Sequence, residues 1–204
     1  WIINSSYLGM DFKVNQNFLT YYNKIDMTWH KMNSFMIEDD TLDCVNGKRA
    51  DYHDIQLLNN GSYIIQAYDS MFVDMSSIVE GGQEVALITG ILVIQEFSVN
   101  DSLIMEWDAW EQLDISLYDN INLHATEINW MHGNSIDIDV DNNLLISNRR
   151  SSEVIKINRV NGDVIWHLGG PLNQFSFIND SRSGFKLQHD VRRLPNGNIS
   201  LFDN

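Results

Sequence analysis

The stretch HGNSIDIDVDNNLLISNRRSSEVIKINRVNGDVIWHLGG, residues 132–170, holds four short apolar runs, at 136–140, 144–147, 154–157 and 164–168. Asn, Asp, Ser and Gly separate them. Short, evenly spaced strands punctuated in this way point to a sandwich, a barrel or a propeller. Two repeats decide among the three. The first half of the stretch has relatives in HDIQLLNNGSYII (53–65) and HDVRRLPNGNISLF (189–202), each opening on a histidine and turning at Asn-Gly. Asn-Gly between alternating strands is a strong hairpin signal, with φ > 0 expected at both turn residues. The second half, VIKINRVNGDVIWHL (154–168), repeats VIQEFSVNDSLIMEW (93–107) at an offset of 61. An inner hairpin headed by His and an outer one ending in Trp make a four-stranded unit, a propeller blade.

The same pattern extends outward. Further strands are expected at 12–14, 18–22, 54–58, 62–68, 92–97, 103–107, 191–194 and 199–202, whereas 35–42 and 109–123 lack periodicity and read as loops or short helical turns. A blade takes roughly 40–45 residues. The expectation is therefore an all-β partial propeller of about three to four blades, one domain over 1–204. Residues 8–24 would belong to an earlier blade. The chain opens on Trp1 and stops after a hairpin return, so it reads as cut at both ends.

Composition narrows the function. With 44% hydrophobic and 20% charged residues the chain is globular. A net charge of −15 argues against nucleic acid and anionic membrane surfaces. It leaves room for a small anionic substrate at a local Arg/His cluster. No run approaches the roughly 18 apolar residues of a membrane span. The lone Cys44 gives no disulfide and no cysteine metal framework, and reads as a buried small hydrophobe. Asn-x-Ser sequons stand at Asn4 and Asn198.

Three elements carry chemistry. His132 and Asn134 are two apart, so on an extended strand both face one way and can grip an anionic oxygen. Arg149 and Arg150 follow Ser147; a guanidinium fork matches tetrahedral oxyanions, and the Ser-x-Arg spacing favours Arg149. His189 in Gln188-His189-Asp190 is a competent nucleophile when neutral. Asp190 and Asp54, each next to a histidine, read as binders of backbone at strand starts. Taken singly, each of these is as simply a strand start or a solvated loop cation. His30, His124 and His167 lie out of phase and read as structural. Trp107 and Trp166 read as packing between blades, and Trp130, Trp110 and Tyr118 as core or pocket rim. If the repeats pack around an axis, His53, His132 and His189 converge.

The ordered set of His-x-Asn-Ser, Ser-x-Arg, W-x-LGG and QHD elements resembles the arylsulfotransferase family, over roughly residues 8–204. The resemblance implies a six-bladed propeller when complete. It implies transfer of a sulfuryl group from an aryl sulfate donor to a phenolic acceptor through a sulfohistidine, without metal or other cofactor. By motif, His189 would be the nucleophile. His132, Asn134 and Arg149, or its neighbour Arg150, would bind the sulfuryl oxygens, and His53 would be a further active-site histidine. The family resemblance also implies export to the periplasm or cell surface. Two other readings compete: a non-catalytic propeller that binds an anionic or aromatic ligand, and a propeller enzyme with a histidine-held metal. The Asn and Arg beside the histidines favour an oxyanion over a cation. The sequence does not specify the oligomeric state.

Overall fold

The computed structural model describes residues 9–204; Trp1, Asn4 and residue 8 lie outside the described residues. The chain is all-β. The first sheet is a four-stranded antiparallel meander of β1 (Gly9–Asn15), β2 (Phe18–Asn23), β3 (Thr28–Met32) and β4 (Glu38–Leu42). The second has the order β5 (Ala50–Leu57), β6 (Tyr63–Val73), β7 (Ala86–Phe97), β8 (Leu103–Asp108), with β9 (Glu127–Asn129) added parallel to β7. The third is a meander of β10 (Gly133–Ile138), β11 (Leu144–Asn148), β12 (Glu153–Ile157) and β13 (Val164–Gly169). A hairpin of β14 (His189–Arg193) and β15 (Ile199–Phe202) follows. All the strands expected from the apolar runs form. The 109–123 stretch holds a one-turn helix α1 (Ala109–Gln112) and a 3-10 turn at Ile115–Leu117, as its lack of period suggested.

Two expectations need correcting. The stretch 35–42 is not all loop, because Glu38–Leu42 pairs with β3 as β4. Its sequence, EDDTL, hides the strand. An edge strand tolerates charge on its open side, so the alternation that betrays an inner strand is absent. The hairpin turns also differ from the two-residue type. At 58–62, 98–102, 139–143 and 194–198 the fourth residue donates its N–H to the first residue's carbonyl, and the first N–H returns to the fifth carbonyl. Only the fourth residue is left-handed, with φ between 57° and 88°: Gly61, Asp101, Asn142 and Gly197. This is a type I turn closed by one left-handed residue. Gly serves it, and so do Asn and Asp, which tolerate that region best.

The chain divides into two compact units, the first holding residues up to Ala67 with Ile94–Glu106, the second Tyr68–Val93 with Trp107–Asn204. In the first, Trp29 is fully buried and donates its indole N–H to Asp51 O at 2.9 Å; the Tyr22 hydroxyl donates to Ala50 O at 3.0 Å. Cys44 is buried, and burial pushes its thiol pKa up, which leaves it an unreactive hydrophobe. In the second unit, Leu145, Val154 and Val191 form a core under Trp166, Leu168, Phe185, Ile199 and Leu201. Trp107 donates to Gly162 O at 3.0 Å. Trp130 and Tyr118 are fully buried and meet edge-on at 5.5 Å, so they are core.

Within each unit, side chains tie neighbouring first strands of successive sheets. Asn15 on β1 donates to Ile55 O at 2.8 Å and accepts from Leu57 N–H at 3.1 Å. On the other side of the chain, Asp139 follows β10 and accepts from Lys156 Nζ (2.7 Å) and from Arg193 Nε and Nη2 (2.6 and 2.9 Å). The Arg193 bond, with Lys156 adding to it, holds the Asp139 carboxyl far below the usual carboxylate range. One buried anion thereby joins β10, β12 and β14.

Candidate active site

The first strand of every sheet carries a register shift near its start: Met10/Lys13 on β1, Ala50/Ile55 on β5, Gly133/Ser135 on β10 and His189/Arg192 on β14. A bulge re-aims side chains and is common beside active sites. Here it places each candidate histidine at the irregular end of a first strand.

His189 opens β14, and its backbone is held on both sides. The Asn134 carboxamide donates to Gln188 O at 2.8 Å and accepts from Asp190 N–H at 3.3 Å. Ser135 Oγ accepts from Val191 N–H at 2.8 Å. Gln188 is fully buried, and its amide nitrogen reaches Ser147 Oγ (3.0 Å), Asn148 O (3.1 Å) and Glu153 O (2.8 Å). Leu187 and Asp190 both adopt left-handed φ, 53° and 58°. Such strain in a leucine costs of order 1–3 kcal/mol and persists only where surroundings enforce it. The half-buried His189 ring has Nδ1 at 2.9 Å from the Asn204 amide nitrogen, which also donates to Leu187 O at 2.6 Å.

His132 and Arg149 are locked together through the backbone. Arg149 N–H donates to His132 O and Arg150 N–H to Met131 O, both at 3.0 Å. The imidazole of His132 lies 5.8 Å from the Tyr68 ring, and the Tyr68 hydroxyl donates to Gly133 O. A Cβ at Gly133 would stand 2.6 Å from the end of the Leu92 side chain, which would have to move to admit it. His132 and Asn134 do not share a strand face as their spacing suggested. His132 precedes β10 with φ of 56°, and the bulge intervenes. Arg149 likewise does not lie on the strand with Ser147; β11 ends at Asn148 and both arginines sit in the following turn. Arg149 is half-buried, whereas Arg150 is exposed and lines a cavity of about 760 Å³.

His53 belongs to the first unit. Its Nδ1 stands 2.5 Å from Asp51 Oδ1, which also accepts from His53 N–H (3.0 Å) and from Gln66 Nε2 (2.8 Å). Its ring stacks on Tyr52 at 4.2 Å. The partner is thus Asp51 and not Asp54, whose carboxylate takes Lys13 and the Ile55 N–H. Asp190 pairs with Arg192 at 2.7 Å. Sequence reasoning passed over Asp51, Ser135, Gln188 and Asn204. Asp two residues before His53 and Gln one before His189 were readable, but bulges erase the alternation that would have given them a direction. His30 pairs with Asp26 and Glu38, and His167 with Glu153, as structural histidines do. Among the described residues no group of three or more His, Cys, Asp or Glu is placed to hold a metal ion.

The model of one protein family, Arylsulfotransferase (ASST), matches residues 22–204. The chain belongs to the arylsulfotransferase family. The match begins inside β2 and runs through every element from β3 to β15, including the motifs at 132–135, 147–149, 166–170 and 188–190. No curated protein matches the chain. Two solved structures are similar in outline. One is a protein of unknown function from Bacteroides caccae, 10% identical with a TM-score of 0.44, covering 91% of this chain and 48% of its own. The other is a catalytically inactive virginiamycin B lyase from Staphylococcus aureus, solved with quinupristin. It is 11% identical with a TM-score of 0.47 and covers 100% of this chain and 58% of its own. At those values neither bears on fold or activity. The chain spans about half the length of the solved structures it matches. No helix of the described residues is long and apolar enough to cross a membrane.

Proposed function

We propose that the chain forms consecutive blades of a β-propeller and carries the sulfuryl-accepting centre of an aryl-sulfate sulfotransferase. The observation that carries this reading is the clamp on His189. A carboxamide that binds the carbonyl before the histidine and the N–H after it holds the backbone that presents the imidazole. A buried glutamine anchors the same segment to three further acceptors. This is much ordered structure for one half-buried ring, and pre-organisation of that kind is what an attacking group needs.

In the first step a ring nitrogen of neutral His189 attacks sulfur. The sulfur–oxygen bond to the aryl group breaks and a phenolate leaves. In the second step the hydroxyl oxygen of an acceptor phenol attacks sulfur, the sulfur–nitrogen bond breaks and His189 is restored. The acceptor's proton balances the phenolate released first. Arg149 and His132, joined by their backbone bond, supply donors to the sulfuryl oxygens, and Arg150 lines the neighbouring cavity instead. His53, whose Nδ1 is held by the Asp51 carboxylate, keeps the part of a further histidine in this proposal. Asn134 is a positioning residue in this scheme, since both ends of its carboxamide are engaged by backbone. Attack by Nε2 of His189 requires the ring proton on Nδ1, so Asn204 must then turn its amide oxygen to the ring. Work at the periplasm or cell surface belongs to the same proposal.

The test is turnover of 4-nitrophenyl sulfate with a phenol acceptor by the chain and by His189→Ala. The reading requires release of 4-nitrophenol that depends on His189. Equal release by the variant would remove the nucleophile from this position.

A further inference from the structure

The W-x-LGG element has no part in the chemistry above, yet it helps to wall a large cavity beside it. The cavity of about 760 Å³ is walled by Gly169, Gly170 and Pro171 at the end of β13, by Phe177 and residues 183–187, and by the turn holding Arg150 and Ser152. Three of its glycines have positive φ, and none accepts a side chain. A Cβ at Gly170 would stand 2.7 Å from Ser151 O, one at Gly169 2.7 Å from the Phe185 ring, and one at Gly184 2.9 Å from the Phe177 ring. The two phenylalanines meet edge-on, 6.2 Å apart at 90°. The glycines let aromatic rings lie against bare backbone, and the result is an aromatic-walled recess.

Its charge runs against that of the chain. In a protein of net charge −15, the recess carries Arg150 and Lys186 against the single carboxylate of Asp119. Among the described residues neither cation has a carboxylate partner. The recess also adjoins the clamp. Leu187 lines it, and the Asn204 amide that donates to Leu187 O lies 2.9 Å from His189 Nδ1. Gly184 and Lys186 are shared with a smaller cavity of about 290 Å³ that Asn204 lines. The larger volume lies in the upper part of the roughly 300–1,000 Å³ range of pockets that bury drug-sized ligands. It exceeds what a single-ring phenol needs.

We propose that this recess binds the aryl body of a multi-ring phenol, or its sulfate ester, that carries a second acidic group at the end remote from the reacting oxygen. The rings lie against Phe177 and Phe185, the remote anion meets Lys186 and Arg150, and the reacting oxygen is directed past Leu187 towards His189. The inference rests on the sulfuryl-transfer reading for its reacting oxygen. Its recognition chemistry stands on the recess alone.

The test is binding without a donor, read by fluorescence titration of 6-hydroxy-2-naphthoate and of 2-naphthol. The carboxylate-bearing phenol is expected to bind at least tenfold more tightly. Lys186→Glu, a change at an exposed position, removes most of that preference, and Phe177→Ala weakens both phenols. Equal affinity for the two compounds overturns the proposal, and so does a preference that survives Lys186→Glu. Measuring the same titration in His189→Ala separates the two readings. Preserved binding there is expected, and a failure of sulfuryl transfer with this preference intact would count against the nucleophile and not the recess.

Discussion

His53 in the first unit and His189 in the second stand at matching places, the irregular start of a first strand, but their neighbours differ in kind. His53 gives Nδ1 to a carboxylate, Asp51, which a buried glutamine and the histidine's own N–H also hold. His189 meets a neutral carboxamide, Asn204. A carboxylate accepts a hydrogen bond and so fixes one ring tautomer. A carboxamide can serve either ring tautomer and adds no charge. The first environment suits a ring that stays put and donates to an oxyanion; the second suits one that must attack, become sulfated and be released. The tie between first strands differs in the same sense. In the first unit Asn15 staples β1 to β5 well along the strands. In the second, Asn134 staples β10 to β14 at the residues on either side of His189.

The comparison breaks most visibly at the nucleophile. His189→Ala is expected to cut transfer by at least about a thousandfold with the fold kept, since removing an attacking group removes the covalent route. Circular dichroism and turnover of 4-nitrophenyl sulfate check this together. Under the proposed roles His53 is a donor and not the bond-maker, so the loss in His53→Ala should be smaller, about a hundredfold in kcat. A larger loss at His53 than at His189 would reverse the assignment of roles.

The two staples allow a finer distinction. Asn15→Ala and Asn134→Ala each strip partners from buried backbone groups, at about 1–3 kcal/mol of stability. Only Asn134→Ala should also lower kcat, by about tenfold beyond any loss of folded protein, with KM for the donor little changed. Denaturant titration beside steady-state kinetics separates the two effects. If both variants lost kcat in proportion to stability, Asn134 would be a strand tie like Asn15.

Asp139 gives the smallest effect on activity and a clear one on stability. Its carboxyl pKa is depressed by Arg193 and Lys156, so its contribution is full above the ordinary carboxylate pKa of about 4. It fades as pH falls through the lower folded value. Asp139→Asn should therefore cost about 3 kcal/mol at neutral pH, as expected for opening a buried ion pair. The gap to the wild type should narrow as pH drops below about 4. A gap independent of pH would place the loss in packing instead.

Much of the fold was legible because apolar alternation and polar turns are written locally. β10 to β13 could be read directly from 132–170. The strands passed over had no such writing: β4 opens on three acidic residues at an edge, β3 mixes Trp29 and Met32 with His30 and Lys31, and β9 is three residues long. The site was legible as a set of motifs and illegible as geometry. Asn134 looked like a ligand for an anion, and its carboxamide meets the backbone on either side of His189; the left-handed His132 and the bulge after it turn the chain away from simple alternation. The Gly-Gly of 169–170 was visible as a motif, but its purpose depends on rings at 177 and 185 that only the folded loop brings against it.

The most direct measurement is peptide-level mass spectrometry of the chain quenched during reaction with an aryl sulfate and no acceptor. One added sulfuryl group on the peptide that contains His189, absent in His189→Ala and discharged by a phenol, is the predicted result. A sulfuryl group on His53 or His132 instead, or transfer that proceeds with His189 never modified, would contradict it.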